Sequence, residues 1–252
     1  MSRGRPALLV AHTALGGAAL VLAAVAAGCT AGAGADPTDP AAARRRMVDL
    51  QIAARGVEDP RVLAALGEVP RHLFVPPELA GRAYADEPLP IGHEQTISQP
   101  YVVALMSELA ELSPGERVLE IGTGSGYHAA VLARLAERVY TIEIVPQLAD
   151  RARRTLAAIG ADNVRVRTGD GYHGWPEAAP FDAVVLTAAP PEVPRPLLDQ
   201  LAVGGRLVAP VGEAMQQLTV ITRTPDGFRR ELVAPVRFVP MTGEAGRPRD
   251  SG

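Results

Sequence analysis

From residue 115 onward the chain alternates short apolar runs with amphipathic stretches. This rhythm constrains the fold more than any other feature of its 252 residues. Residues 117–122 read as a buried strand, 126–136 as a helix, 139–144 as a strand and 146–159 as a helix. Residues 164–168 and 181–188 read as further strands, followed by a helix over 194–201 and a strand over 206–211. Strands and helices of these lengths in alternation predict a parallel sheet with helices on both faces. The end differs: 218–223 and 231–238 are adjacent strand candidates around Pro225, Asp226 and Gly227, which predicts a terminal antiparallel hairpin. Upstream, 44–56 carries apolar residues at loosely helical spacing. Asp59 and Pro60 suit the cap and first turn of a second short helix. Pro76, Pro77, Pro88 and Pro90 mark irregular chain, and 100–112 reads as a helix.

The first strand of the alternating region runs into a glycine-rich turn, Gly122-Thr123-Gly124-Ser125-Gly126-Tyr127. Sheets of this kind bind ligands at the carboxyl ends of their strands, near the point where strand order reverses. Dinucleotide sites space their glycines as G-x-G-x-x-G to seat a pyrophosphate. Here the spacing is G-x-G-x-G with Tyr127 in sixth place, and Glu120 two residues before the turn would repel a phosphate. Such a carboxylate suits an amino-acid cofactor. Glu143 ends the next strand, placed to accept from ribose hydroxyls. Asp170, in Gly169-Asp170-Gly171, ends the one after, placed to accept from an adenine amino group. Three acids after three successive strands point to S-adenosylmethionine rather than NAD. Asp-Gly is also a common turn pair, which leaves a structural reading of Asp170 open. The expected fold is therefore α/β: a Rossmann-like methyltransferase sheet, mostly parallel with a terminal antiparallel hairpin, preceded by a helical extension.

Composition narrows the partners. Hydrophobic residues make up 47% of the chain, enough for a sizeable core, and the net charge of −3 argues against a nucleic-acid surface. All 25 basic residues are arginine, clustered tightly only at Arg44, Arg45 and Arg46. With one cysteine, Cys29, and five scattered histidines, no disulfide within the chain and no metal centre are expected. Arg3 and Arg5 precede an apolar stretch over 7–27, and Gly28-Cys29 resembles a lipoprotein cleavage site with Cys29 as the lipidated residue. The expected organisation is a leader or anchor over 1–28, a flexible linker over 29–43, a methyltransferase domain over 44–243 and a disordered tail over 244–252. The expected location is exported or membrane-anchored, with membrane contact only through residues 1–29. A start at Met47 would make the protein cytoplasmic instead.

Across 47–243 the chain resembles the protein-L-isoaspartate O-methyltransferases. The resemblance rests on several segments together: Val69-Pro70-Arg71-His72-Leu73-Phe74, Leu89-Pro90-Ile91-Gly92 followed by Gln95-Thr96-Ile97-Ser98-Gln99-Pro100, Glu120 to Tyr127, Gly169 to Tyr172, Thr187-Ala188-Ala189-Pro190 and Val236-Arg237-Phe238-Val239-Pro240. It implies methyl esterification of the free carboxyl of L-isoaspartyl residues in damaged proteins or peptides, with repair proceeding through a succinimide. It implies cofactor contacts from Glu120, Gly122, Thr123, Gly124, Ser125, Gly126, Glu143, Asp170 and Gly171. It places Ser98 as the active-site residue, with Thr96, Ile97, Gln99 and Thr187 about the substrate.

A carboxylate with a pKa near 4 is already ionised at neutral pH, so its attack on a methyl group needs no general base. The site must align it, strip its water and replace that water with hydrogen-bond donors. Ser98 suits an orienting role. On its own, before Pro100 and a helix, it would equally suit a helix cap. Trp175 reads as core, and His72, His128 and His173 as structural or surface residues. The family usually has Gly where this chain has Glu94, after His93. Losing that Gly restricts the loop, and an inward Glu94 would oppose a carboxylate substrate. Alternatives are a methyltransferase of changed substrate, a cofactor-binding protein and an exported binding protein without catalysis. The enzyme is expected to act as a monomer.

Overall fold

The computed structural model describes residues 39–246. The leader expected over 1–28, Cys29 and the first part of the expected linker lie outside these residues, as do positions 247–252 of the expected tail. The linker expected to reach 43 ends earlier, at a helix α1 over Pro40–Arg46. Asp39 accepts hydrogen bonds from the Ala41 and Ala42 amides and Pro40 sits in the first turn, a cap-and-proline pairing that starts a helix. The chain winds on through a π-helical stretch, Met47–Ile52, and a 3-10 turn, Ala53–Arg55. Asp59 caps α2, Pro60–Glu68, in the way its sequence predicts.

The proline-marked region is more ordered than expected. Strand β1, Leu89–Gly92, pairs antiparallel with β2, Gln95–Ile97. Pro90 is tolerated because the pair is only two strands wide, so a missing amide need not break an inner ladder. Helix α3, Pro100–Leu109, follows directly.

The alternating region is then β3 (Arg117–Ile121), α4 (Tyr127–Leu132), β4 (Arg138–Glu143), α5 (Pro146–Ala158), β5 (Val164–Thr168), β6 (Phe181–Leu186), α6 (Arg195–Asp199), β7 (Leu201–Val211), β8 (Gln216–Thr224) and β9 (Gly227–Val236). Helix α4 stops short of residue 136. Asn163 Nδ2 donates to the carbonyls of Ala133 and Ala136, and Arg61 to that of Leu135, drawing the last turn out of α-helical winding.

The seven strands form one sheet in the order β5-β4-β3-β6-β7-β8-β9. The pairs from β5 to β7 are parallel, while β8 runs antiparallel to both β7 and β9. The chain builds outward from β3 to β5, then crosses back to lay β6 beside β3. Strand order therefore reverses between β3 and β6, and a cleft opens at their carboxyl ends. Both faces of the central strands are covered: Val118 packs in one apolar cluster with α4 and α5, Leu119 and Ile121 in another with Leu197. This two-sided burial is why β3 and β6 read as nearly continuous apolar runs. Period-two alternation puts Glu120 on the same face as Val118, deep under the helices.

Candidate functional site

The cleft at the end of β3 draws most of its lining from four segments. Residues 95–98 come from β2 and its exit, 120–125 from β3 and the glycine turn, 142–144 from the end of β4, and 239–242 from the chain after β9. Gly122 has φ +97°, and a Cβ there would lie 2.4 Å from Thr187 Oγ1. Thr187, just past β6, donates to the carbonyls of Ile121 and Gly122 and so closes the turn against the neighbouring strand. Only glycine accepts both that backbone and that neighbour.

Beneath the turn, Glu120 is fully buried. Its Oε2 accepts from Thr141 Oγ1, which in turn meets Thr123 Oγ1 at 2.6 Å. Its Oε1 has no partner among the described residues. Burial pushes the Glu120 carboxyl up to about 8, with Glu143 adding to the rise and the Thr141 hydroxyl opposing it. Glu143 accepts from the Gly124 amide at 2.7 Å and the Val145 amide at 2.9 Å. These bonds tie the turn to the end of β4, and each carboxylate oxygen keeps a further acceptor site. A positively charged ligand with hydroxyl groups matches this donor-poor, acid-rich floor. The Glu120 carboxyl keeps its proton for want of a compensating charge, which a cationic ligand beside its orphaned oxygen would supply, and Glu143 has acceptor capacity to spare. The residues present fit S-adenosylmethionine on those grounds.

Ser98, Thr96, Ile97, Glu120, Gly122, Thr123, Gly124, Ser125, Glu143, Gly171 and Thr187 all line this cleft. Three expected residues do not. Gly126 lies outside the lining as the α4 cap residue, with φ +90°. Asp170 caps its own turn: it accepts from the Tyr172 amide at 2.9 Å and the Glu244 amide at 2.8 Å, which accounts for the turn reading of Asp-Gly. Glu244 belongs to a 3-10 turn, Gly243–Gly246, so the expected tail begins with ordered chain. Gln99 faces a neighbouring groove and donates its amide to Asp86 at 2.7 Å. Gln99, not Ser98, occupies the cap position of α3, and the Ser98 hydroxyl has no partner among the described residues.

Some site residues were not visible in the sequence. His128, read as structural or surface, lines the cleft with Nε2 3.1 Å from Ser107 Oγ. Burial lowers its pKa to about 4. Ile144, Met241 and Thr242 line the cleft too, unmarked in the sequence, beside Val239 and Pro240 from the segment that closes the resemblance. Trp175 is half-buried, edge-on to Tyr140, with the Arg167 guanidinium 3.8 Å from its ring.

The second groove has a volume of about 870 Å³ and shares Thr96, Ser98, Thr187, Val239 and Pro240 with the cleft. The two cavities therefore adjoin along these five residues. Asp86 braces this junction, accepting from Gln99 and from the Tyr101 amide and pairing with Arg55 at 2.5 Å. Glu94 lies on the exposed tip of the β1–β2 hairpin, with φ +59° beside His93 at φ +53°. Among the described residues, no group of three or more His, Cys, Asp or Glu could hold a metal ion.

The family profile described as protein-L-isoaspartate(D-aspartate) O-methyltransferase matches residues 42–246. A protein-L-isoaspartate O-methyltransferase of Gloeobacter violaceus is 62% identical over 200 residues, covering 79% of this chain and 98% of its own. A solved protein-L-isoaspartate O-methyltransferase superposes with a TM-score of 0.73 at 31% identity, over 80% of this chain and 67% of its own. A Plasmodium falciparum relative, solved in complex with S-adenosyl-L-homocysteine, gives 0.71 at 26% identity, over 79% and 98%.

Proposed function

This chain belongs to the protein-L-isoaspartate O-methyltransferase family, and we infer that its cleft and groove are the two halves of that reaction's active site. The enzyme transfers a methyl group from S-adenosylmethionine to the free carboxyl of L-isoaspartyl residues in damaged proteins or peptides. Bound in the cleft, S-adenosylmethionine supplies a methyl group on a cationic sulfur, which a carboxylate oxygen takes as the carbon–sulfur bond breaks. What carries the assignment of roles is the junction: cleft and groove meet at Thr96, Ser98 and Thr187.

The chain's own residues divide the work. Glu120, Gly122, Thr123, Gly124, Ser125, Glu143 and Gly171 hold the methyl donor. The free Ser98 hydroxyl donates to the substrate carboxylate, replacing water that the groove excludes and leaving one oxygen to react. Thr96 and Ile97 present the hairpin face beside it, and Thr187 holds the glycine turn at the junction. No residue need take a proton, because the acceptor enters ionised and leaves as a neutral ester.

The direct test uses the full chain, labelled methyl donor and paired peptides containing isoaspartate or aspartate. Base-labile label should enter only the isoaspartyl peptide. Equal labelling of both peptides would overturn the substrate assignment. Ser98→Ala removes one hydrogen bond to a charged group, so kcat/KM should fall about tenfold to a hundredfold. An unchanged value would remove Ser98 from the chemistry.

We propose further that residues 1–28 direct export or anchoring, with Cys29 as the lipidation site. The basic start, the apolar stretch and the Gly28-Cys29 junction support this. Cell fractionation with mass measurement of the mature chain tests it, and a full-length product in the cytosol would refute it. The net charge of −3 supports a protein rather than a nucleic-acid partner.

A further inference from the structure

The groove leading to Ser98 is lined by two arginines, Arg55 and Arg237, and by no acidic residue. The two cations are not equivalent. Arg55 lies 3.5 Å over the Tyr101 ring and pairs with Asp86, which sits outside the lining, so its charge is largely spent within the protein. Arg237, just past β9, is exposed and has no ion pair, hydrogen bond or ring contact among the described residues. It is an unspent positive charge on the wall of a peptide-sized groove, close in sequence to Val239 and Pro240 at the methyl-transfer junction.

We propose that Arg237 is a specificity-determining residue that selects isoaspartyl substrates carrying a second carboxylate beside the isoaspartyl residue. This rests on the functional reading above and deepens it. The groove walls displace water, so a charge on them acts on a bound peptide through a lower effective dielectric than bulk solvent provides. Consecutive residues of an extended peptide are spaced by about 3.3 Å, which brings a neighbouring side chain within a Debye length of the wall. The same charge also favours the substrate over the product. Methylation converts the reacting carboxylate to a neutral ester, so the groove's attraction weakens when the transfer is complete.

The test compares the full wild-type chain with Arg237→Gln and Arg237→Lys. The substrates are isoaspartyl peptides in which the residues flanking isoaspartate are Glu, Gln or Lys. Wild type should show the lowest KM for the Glu peptide, about threefold to tenfold below Gln, with kcat little changed across the set. High salt should compress that ratio. In Arg237→Gln the Glu-over-Gln ratio should fall to near one, whatever the variant does to the Gln peptide itself, and Arg237→Lys should restore part of it. A wild-type enzyme that methylates the Gln peptide without favouring Glu overturns the proposal. So does an Arg237→Gln variant that keeps the wild-type ratio. Failure to methylate any of the three peptides would instead overturn the functional reading, and this inference with it.

Discussion

Two residues at the tip of the β1–β2 hairpin carry a cost that their neighbours do not repay. His93 and Glu94 both adopt left-handed backbone, with φ of +53° and +59°, in a two-residue turn between Gly92 and Gln95. A turn with positive φ at both positions matches the twist of the flanking strands, and it favours Asn or Gly. The Glu94 side chain is exposed and lines neither the cleft nor the groove, and the consequence that the structure shows for this residue is its left-handed backbone. Glu94→Gly should therefore stabilise the protein by about 1 kcal/mol, read from urea denaturation, with little change in activity on isoaspartyl peptides. A marked gain in activity would restore the idea that Glu94 alters substrate preference.

At the scale of elements, α3 is fastened at its start, next to Ser98. Its first turn follows Ser98 directly, and Asp86 fastens it by accepting from the Gln99 amide group and the Tyr101 backbone. The sequence marks Asp86 only as one acid in a proline-flanked loop, so nothing local distinguishes it. Asp86→Ala should lower stability by about 1–3 kcal/mol, because it removes charge-assisted hydrogen bonds and leaves Arg55 without its partner. It should also lower kcat about tenfold by loosening the placement of Ser98, with Asp86→Asn intermediate. An unaltered kcat in a destabilised variant would assign Asp86 to the scaffold alone.

For the whole molecule, two buried groups under the cleft tie stability to pH in opposite directions. Burial raises Glu120 to about 8, so the native state keeps a proton that the unfolded chain releases above its ordinary value of 4.5. Stability from this group is therefore lost as pH rises from 4.5 to 8. Burial lowers His128 to about 4, so the unfolded chain takes up a proton below 6.5 that the native state refuses, and stability from it is lost as pH falls from 6.5 to 4. The two effects oppose each other between about 4.5 and 6.5 and leave Glu120 alone above that. The melting temperature of the cofactor-free protein should fall by about 4–8 °C from pH 6.5 to 8, and Glu120→Gln should flatten that slope. An equal slope in the variant would place the titration elsewhere. The sequence alone determined the alternating architecture, the hairpin of β8 and β9, the glycine turn and the acids Glu120 and Glu143. These features are local: periodicity, caps and turn chemistry act over a few residues. Only tertiary structure decided that Asp170 spends its oxygens on the amides of Tyr172 and Glu244, that His128 lines the cleft and that residues 239–242 close it. It alone set the groove beside the cleft, with Ser98 among the residues that line both. Those outcomes depend on which distant segments the sheet brings together, and no window along the chain records that.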